Sequence, residues 1–250
     1  MRFATVVLII FAVGFGAQAE SLGPFGVATV LAPENIYAAH WRKLQDDWAV
    51  ELKTIDQCRV ERERCHSRAA LQFMAVTDEA KKQIGRAQLG YVNRAINLAI
   101  RPMNDLANYG IREIWAPPLA TLERGAGDCT DFAIAKYYAL GEIGVALKDR
   151  RLLVVRVKQS GQEHTVLAVR EDQHWLILDN RSMTIVDAAD LNEYVPLLEF
   201  DHRGVWRFLE SHLAYEGKVT RPDAIGRAIS SQHSHRRAPC RLFSERRGWP

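Results

Sequence analysis

The stretch Arg124-Gly125-Ala126-Gly127-Asp128-Cys129-Thr130-Asp131-Phe132-Ala133-Ile134-Ala135 decides how this chain is organised. A glycine-rich turn ends at Cys129, and apolar residues then recur at near-helical spacing as far as Ile143. The pattern predicts a helix that begins at or near Cys129. A thiol at a helix N-terminus feels the positive end of the helix dipole, which favours the nucleophilic thiolate. Cys129 is therefore a candidate catalytic nucleophile.

A base and an orienting carboxylate follow downstream. Residues 152–157, 165–169 and 175–178 are rich in Val, Leu and Ile and are predicted strands. If His164 pairs with Asp179 in an antiparallel hairpin, the turn is centred between Glu171 and Asp172, within the polar run 170–174. Directly opposite Cβ atoms lie about 4.5–5.5 Å apart. The carboxylate then holds one imidazole nitrogen while the other faces the thiol, although a one-residue slip separates the two side chains.

Each of the three residues has an ordinary structural alternative. A lone Cys is often a small buried residue, a His at a strand start is often only hydrogen-bonded, and Asp-Asn after a strand is a turn signal. Zinc is the rival use of these residue types. The sequence has no C-x-x-C, no H-x-x-x-H and no second Cys near Cys129, which argues against a zinc site.

Several blocks together resemble the bacterial transglutaminase-like cysteine proteinases: Trp115-Ala-Pro-Pro-Leu119, the run from Gly125 to Lys136, Glu163-His-Thr-Val-Leu167 and Leu178-Asp-Asn180. The resemblance covers residues 35–208. It implies an α+β fold with a papain-like or transglutaminase-like core, in which N-terminal helices and a nucleophile helix pack on an antiparallel sheet. It assigns the nucleophile to Cys129, the base to His164 and the orienting carboxylate to Asp179.

The resemblance also implies partners. The substrate would be a linker near the N-terminus of a large surface adhesin, and an inner-membrane receptor that senses cyclic di-GMP would sequester the protease. The same triad would serve a transglutaminase or an amidase acting on cell-wall peptides, since an amine can replace water as acyl acceptor. A third alternative is an exported binding module with a decayed site.

Calcium is the one metal that the resemblance suggests. The family block reads Gly-Asp-Cys-Glu-Asp, and acidic residues around the nucleophile are associated with a calcium ion. Asp128 and Asp131 remain here, but Thr130 stands where the Glu is expected. Because calcium prefers six to eight oxygen ligands, the loss of a carboxylate predicts weak binding. Helix capping is the structural alternative for Asp128 and Thr130. No organic cofactor is expected.

The N-terminus has the pattern of a secretory signal peptide. Met1-Arg2 precedes an apolar run over residues 6–15, and Ala17-Gln-Ala19 fits a cleavage site before Glu20. The run is short for a membrane span, which needs about 20 residues, so an uncleaved anchor is the less favoured alternative. We expect a periplasmic protein that is cleaved after Ala19.

Charge and composition divide the rest of the chain. Without residues 1–19 the chain has 32 Lys and Arg against 30 Asp and Glu, too near neutral to indicate nucleic-acid binding. We expect an entry segment at 20–34, one peptidase domain at 35–215 and a basic, disordered tail at 216–250.

Residues 35–75 are predicted helical, with an apolar stripe at Trp41, Leu44, Trp48, Leu52 and Ile55. Thr77 is predicted to cap a second long helix that reaches about residue 100.

Cys58 and Cys65 are the candidate disulfide in an exported protein. On one continuous helix their Cα atoms would lie roughly 10 Å apart, too far for a bridge. The bridge therefore requires a break within the charged segment 59–64, and the sequence leaves both possibilities open. Cys240 lies in the tail, where the alternatives are a free thiol and a pairing between chains, and Cys129 must stay reduced to act.

Overall fold

A computed structural model describes residues 23–111 and 113–209, and it confirms the α+β class. Six α-helices are described: α1 (Ile36–Val60), α2 (Arg68–Ala80), α3 (Gly85–Ala99), α4 (Asp105–Tyr109), α5 (Pro118–Arg124) and α6 (Cys129–Glu142). The strands described are β1 (Thr29–Leu31), β2 (Arg101–Pro102), β3 (Ala126–Gly127), β4 (Arg150–Val157), β5 (Glu163–Glu171), β6 (His174–Leu178), β7 (Val186–Asp187), β8 (Tyr194–Asp201) and β9 (Gly204–Phe208). Helices come first, then α6, which begins at Cys129, and then a strand meander, as the sequence predicts.

The first predicted helix is two helices joined at a corner. Asn35 caps α1 by accepting hydrogen bonds from the Tyr37 and Ala38 N–H groups. The helix ends at Val60, a short 3₁₀ turn follows, and Cys58 forms a disulfide with Cys65 across the corner, with Cα atoms 4.7 Å apart. The structure therefore contains the bridge that the sequence left open, and it contains the break that the bridge requires.

The prediction that Thr77 caps a helix is wrong. Thr77 lies inside α2, is fully buried, and donates its hydroxyl to the carbonyl of Met74. The cap of α2 is Ser67, just after the disulfide, and α3 begins at Gly85 after a separate turn. Acidic residues after Thr77 resemble a first helical turn, but the apolar face of α2 continues through this position because it packs in the core.

The larger sheet is antiparallel and has the strand order β1-β9-β8-β4-β5-β6-β7 within the described residues. Its central strands are apolar on both faces. One face packs against the helices, and a second apolar cluster that includes Leu153, Val155 and Phe208 covers the other. The expected entry segment at 20–34 contributes β1, which pairs with β9 and so joins the two ends of the described chain.

Helix α6 lies at the centre of the molecule. It packs on β4 and β5 on one side and on α2, α3 and α5 on the other. Residues on all of its faces are buried, including Phe132, Ile134 and Leu140. A helix that is enclosed on every side is held firmly, so the residues at its N-terminus have fixed positions.

Some expectations fall outside the described part of the chain. These are the signal peptide at 1–19, the basic tail at 216–250 and the state of Cys240. Among the described residues, no helix combines the length and the apolar character that a membrane crossing needs.

Candidate active site

The turn before α6 sets the position of Cys129. Gly125 ends α5 in the left-handed region, with φ of 60°, and β3 then runs parallel to β2 for two residues. At Gly127 an added Cβ would lie 2.7 Å from the Asp131 side chain, so only glycine allows this approach. Asp128 and Asp131 form a capping box at the start of α6. The predicted helix therefore begins at Cys129.

The side chain of Cys129 faces strand β5. Cys129 is buried, and its Sγ accepts a hydrogen bond from the Thr165 N–H at 3.3 Å. His164, the neighbour of Thr165, lies near the start of the same strand and is also buried. The sulfur is thus held at the helix N-terminus beside the strand that carries the candidate base.

His164 and Asp179 are in direct contact. His164 Nε2 lies 2.8 Å from Asp179 Oδ1, which leaves the other ring nitrogen, Nδ1, for a reaction partner. The contact agrees with the sequence prediction, but the predicted register is wrong by two residues. The observed pairs include Leu167 with Leu178, and Asp179 follows the last residue of β6.

The shape of the hairpin turn explains the register. Asp172 and Gln173 alone connect β5 to β6, with φ values of 47° and 68°. Two successive residues with positive φ are typical of a tight type I′ turn. The turn is therefore centred one residue later than expected. A two-residue shift preserves the faces of a strand, so His164 and Asp179 stay on the same side.

Asp179 is held by more than His164. Its Oδ1 also accepts the Arg181 N–H at 2.9 Å, and its Oδ2 accepts the Tyr194 hydroxyl at 2.5 Å and the Arg181 guanidinium at 3.3 Å. Burial by itself would raise the pKa of Asp179, but the hydrogen bond from His164 and the neighbouring charges hold that pKa well below its usual range. The carboxylate is therefore ionised at neutral pH.

Helix α3 supports the backbone of the turn that carries Asp179. The Asn97 amide donates to the carbonyl oxygens of Asp179 and Ser182, each at 3.0 Å, and the Asn93 amide donates to Ser182 at 2.8 Å. This fixes the main chain on either side of Arg181. The sequence offers no local sign of these contacts, because they join residues more than 80 positions apart.

Three carboxylates lie together at the N-terminus of α6. Ligand oxygens of Asp105, Asp128 and Asp131 are all within 4.8 Å of one another. Burial, together with the neighbouring carboxylates, raises the pKa of Asp105 to about 6 and of Asp128 to about 7, and that of Asp131 well above its usual range. The sequence analysis named Asp128 and Asp131 and missed Asp105, which reaches the cluster from α4.

The cluster has the features of a cation site. Asp105 Oδ1 is buried and has no hydrogen-bond partner among the described residues, whereas its Oδ2 accepts the Ile114 N–H at 2.7 Å. Hard oxygen ligands of this kind suit calcium, and a bound cation would remove the mutual repulsion of the carboxylates. The residues present therefore fit the metal that the sequence suggested.

Thr130 does not serve only as part of a helix cap. Its hydroxyl oxygen lies 3.0 Å from that of Thr165 on β5, so the two side chains share a hydrogen bond. The cap itself is formed by Asp128, whose carboxylate accepts the Thr130 and Asp131 N–H groups. The residue that replaces the expected Glu thus links the nucleophile helix to the strand of His164.

Lys136 is a second buried charge that sequence reasoning did not single out. It lies two turns along α6 from Cys129 and is fully buried, with Nζ 6.0 Å from the centre of the Phe132 ring. No hydrogen-bond partner for Nζ is found in the described part of the chain. Burial lowers the pKa of Lys136 to about 7, and the negative charge of Asp179 partly offsets this decrease.

Comparisons with known proteins agree with the geometry. Residues 50–212 match the family model of the bacterial transglutaminase-like cysteine proteinases. Calcium-bound LapG of Legionella pneumophila superposes with a TM-score of 0.53 at 23% identity, covering 66% of this chain and 98% of that one. EGTA-treated LapG of the same organism gives 0.52 at 25% identity, covering 61% and 84%. None of the curated proteins matches the chain. Since the family model covers well over half of its residues, this chain belongs to the bacterial transglutaminase-like cysteine proteinases.

Proposed function

We propose that this chain is an exported endopeptidase in which Cys129 is the nucleophile, His164 the base and Asp179 the carboxylate that orients the base. The observation that carries the proposal is the His164–Asp179 hydrogen bond beside a buried cysteine at the start of α6. A cysteine peptidase acts on a protein substrate, and membership of the family supports that class of reaction.

The proposed reaction uses these contacts. In the reduced enzyme, His164 takes the Cys129 thiol proton, and the thiolate attacks the carbonyl carbon of a peptide bond. The resulting oxyanion needs donors that are already in place, and the Cys129 N–H lies in the first turn of α6, where backbone donors have no acceptor within the helix. The imidazolium then protonates the leaving amine, which leaves a thioester. Water, deprotonated by His164, hydrolyses the thioester and restores the thiol.

Asp179 contributes by holding the ring of His164 in one orientation. Its Oδ1 accepts from Nε2, so Nδ1 is the nitrogen that exchanges the proton with Cys129. Because the carboxylate remains ionised, it also stabilises the imidazolium that forms in the first step.

Calcium binding belongs to the same proposal. Asp105, Asp128 and Asp131 would hold the ion next to the nucleophile turn. A bound cation there would supply positive charge that favours the thiolate. The LapG structures with which this chain superposes were obtained both calcium-bound and EGTA-treated, which supports calcium as the metal to test.

The substrate is proposed from the family resemblance. We infer that the protease works in the periplasm on a linker near the N-terminus of a large surface adhesin. We also infer that an inner-membrane receptor for cyclic di-GMP sequesters it. The superposition with LapG supports a fold suited to this role.

Four variants of the full exported protein test the triad, assayed in reductant on the N-terminal region of a large repeat adhesin. Cys129→Ala and His164→Ala should abolish cleavage, and Asp179→Asn should slow it by about 10⁴-fold, because the ring loses its orienting anion. His174→Ala is the matched control. His174 is exposed and lies outside this site, and its Nδ1 is 2.8 Å from Asp187 Oδ2. Its activity should be unchanged.

Near-normal cleavage by Cys129→Ala would refute the assignment.

The products distinguish a peptidase from a transglutaminase, and a thiol probe distinguishes both from a decayed binding module. Mass spectrometry in the presence of a primary amine should show hydrolysed ends, whereas amine-capped ends would indicate a transglutaminase. Failure of the wild type to react with a thiol-directed peptide probe would indicate a decayed binding module.

A further inference from the structure

Both carboxylate oxygens of Asp179 accept hydrogen bonds. Asp179 Oδ1 serves His164, while Oδ2 accepts the hydroxyl of Tyr194 at 2.5 Å. Tyr194 begins β8, two strands away from β5 in the sheet, and is buried. Its ring also contacts the ring of His164, with centroids 6.1 Å apart. Tyr194 therefore touches both the base and the carboxylate.

Arg181 completes the arrangement. Its guanidinium lies 3.3 Å from Asp179 Oδ2, donates to the hydroxyl oxygen of Tyr194, and lies over the Tyr194 ring at 5.4 Å. Because the guanidinium occupies an acceptor position of the phenol oxygen, the phenol proton is left to point at Asp179. The order of donation is therefore Arg181 to Tyr194 to Asp179.

We propose that Tyr194 and Arg181 are positioning residues of the peptidase reaction, which act by fixing the Asp179 carboxylate so that its Oδ1 faces His164. The inference rests on the proposed roles of Cys129, His164 and Asp179. A carboxylate with only one partner can rotate about its terminal bond, which has a broad torsional preference. Donors on both oxygens prevent the carboxylate from rotating. The imidazole of His164, which is hydrogen-bonded to Oδ1, is therefore held in one orientation.

The two residues also set how strongly Asp179 attracts a proton on His164. A phenol donor and a guanidinium both draw negative charge from the carboxylate. Loss of either leaves more charge for the imidazole and favours its protonated form. A residue that only supported the fold would lower activity equally at every pH, so the pH profile distinguishes the two roles.

The first experiment measures kcat, KM and the pH profile of kcat/KM for Tyr194→Phe. We expect kcat to fall by about tenfold, the effect of one hydrogen bond to a charged group, with KM changed less than twofold. The lower limb of the profile should move to higher pH, because His164 must be unprotonated to take the thiol proton. Tyr138→Phe is the matched control: Tyr138 is also buried, but its hydroxyl has no hydrogen-bond partner among the described residues, so this variant should match the wild type.

Arg181 is tested by a pair of substitutions. Arg181→Met removes the charge and should move the lower limb in the same direction as Tyr194→Phe. Arg181→Lys keeps a cation near Oδ2 and should return the limb close to its wild-type position, although the two-point contact is lost. Thermal unfolding of each variant, measured alongside, identifies any that fail to fold.

A double-mutant cycle tests whether Tyr194 acts through Asp179. The readout is the rate at which iodoacetamide alkylates Cys129, which can be measured even in slow variants. Tyr194→Phe should change this rate in the wild-type background and leave it unchanged in Asp179→Asn. Equal changes in both backgrounds, or an unmoved pH limb in folded Tyr194→Phe and Arg181→Met, would overturn the inference. The triad assignment would survive that result, because it depends on the cleavage activity of Cys129→Ala, His164→Ala and Asp179→Asn and not on Tyr194 or Arg181.

Discussion

The hydroxyl groups of Thr130 and Thr165 lie 3.0 Å apart and link the second residue of the nucleophile helix to the strand that carries His164. Thr165 is buried, and its N–H also contacts the Cys129 sulfur. One pair of threonines therefore joins the helix start at Cys129 to the strand of His164, the two residues that we propose as nucleophile and base.

Removing both hydroxyls of this pair should cost less stability than the sum of the two single removals. Thr130→Val and Thr165→Val should each lower the free energy of unfolding by about 1–2 kcal/mol, because each leaves its partner unpaired. The double variant should lose less than the sum of the two. Urea unfolding of the three variants measures the coupling, and strictly additive losses would show that the two hydroxyls act independently.

Asp105→Asn tests the acidic cluster. The cluster carboxyls have pKa values raised by the fold, so without calcium they contribute stability that is lost as pH rises from about 4 to 7. In chelator, Asp105→Asn should lose less stability than the wild type over this window. Glu51, whose pKa burial raises to about 7, contributes equally to both proteins and cancels. Denaturant unfolding at several pH values measures the difference.

Calcium should stabilise the wild type more than it stabilises Asp105→Asn. With a dissociation constant of about 10⁻⁴–10⁻³ M, 1 mM calcium stabilises the wild type by about 0.4–1.4 kcal/mol. Asp105→Asn removes a ligand and should gain less. An equal gain in both proteins would exclude Asp105 from the site.

Thr130→Glu restores the carboxylate of the family block and should strengthen calcium binding. The control is Thr130→Val, which loses the same hydrogen bond to Thr165 without adding a charge. Calorimetry should show tighter binding for Thr130→Glu than for Thr130→Val. Tight binding by the wild type that neither substitution changes would mean that the ion uses other ligands.

Lys136→Met should stabilise the protein at neutral pH. The pKa of Lys136 is lowered to about 7 in the fold, so the unfolded chain binds the proton more readily, and stability rises with pH between about 7 and 10. This slope, at most about 1.4 kcal/mol per pH unit, should vanish in Lys136→Met. Unfolding in the Cys129→Ala background measures it without self-cleavage. A slope that persists unchanged would mean that Lys136 stays charged.

Export should yield a chain that begins at Glu20. Ala17 and Ala19 supply the small residues that signal peptidase requires. N-terminal sequencing of protein released from the periplasm checks this. Recovery of Met1 would indicate an uncleaved anchor.

The sequence predicted the parts of the site that local chemistry determines. The glycine turn, the helix start at Cys129 and the strands around His164 each have a signal within about ten residues. The register of the hairpin could not be fixed in this way, because Asp172-Gln173 lacks the Asn-Gly or Asp-Gly pattern that announces a two-residue turn.

The supporting residues could not be predicted for a different reason. Tyr194, Asn97 and Asp105 reach the site from β8, α3 and α4, and their roles depend on which elements the fold brings together. Their residue types are common on any strand or helix. Only the three-dimensional arrangement separates them from ordinary surface or core positions.

The Cys58–Cys65 bridge gives the enzyme two opposite requirements toward thiols. The catalysis that we propose needs reducing equivalents to keep Cys129 as a thiol, yet the same reductant can open the bridge at the corner between α1 and α2. The bridge closes a short loop, so its loss costs about 2 kcal/mol. At elevated temperature the loss of this stability is enough to unfold part of the protein. Activity measured there against dithiothreitol concentration should therefore rise and then fall. The descending part should vanish when Cys58 and Cys65 are both replaced by alanine, because that protein has no bridge left to lose.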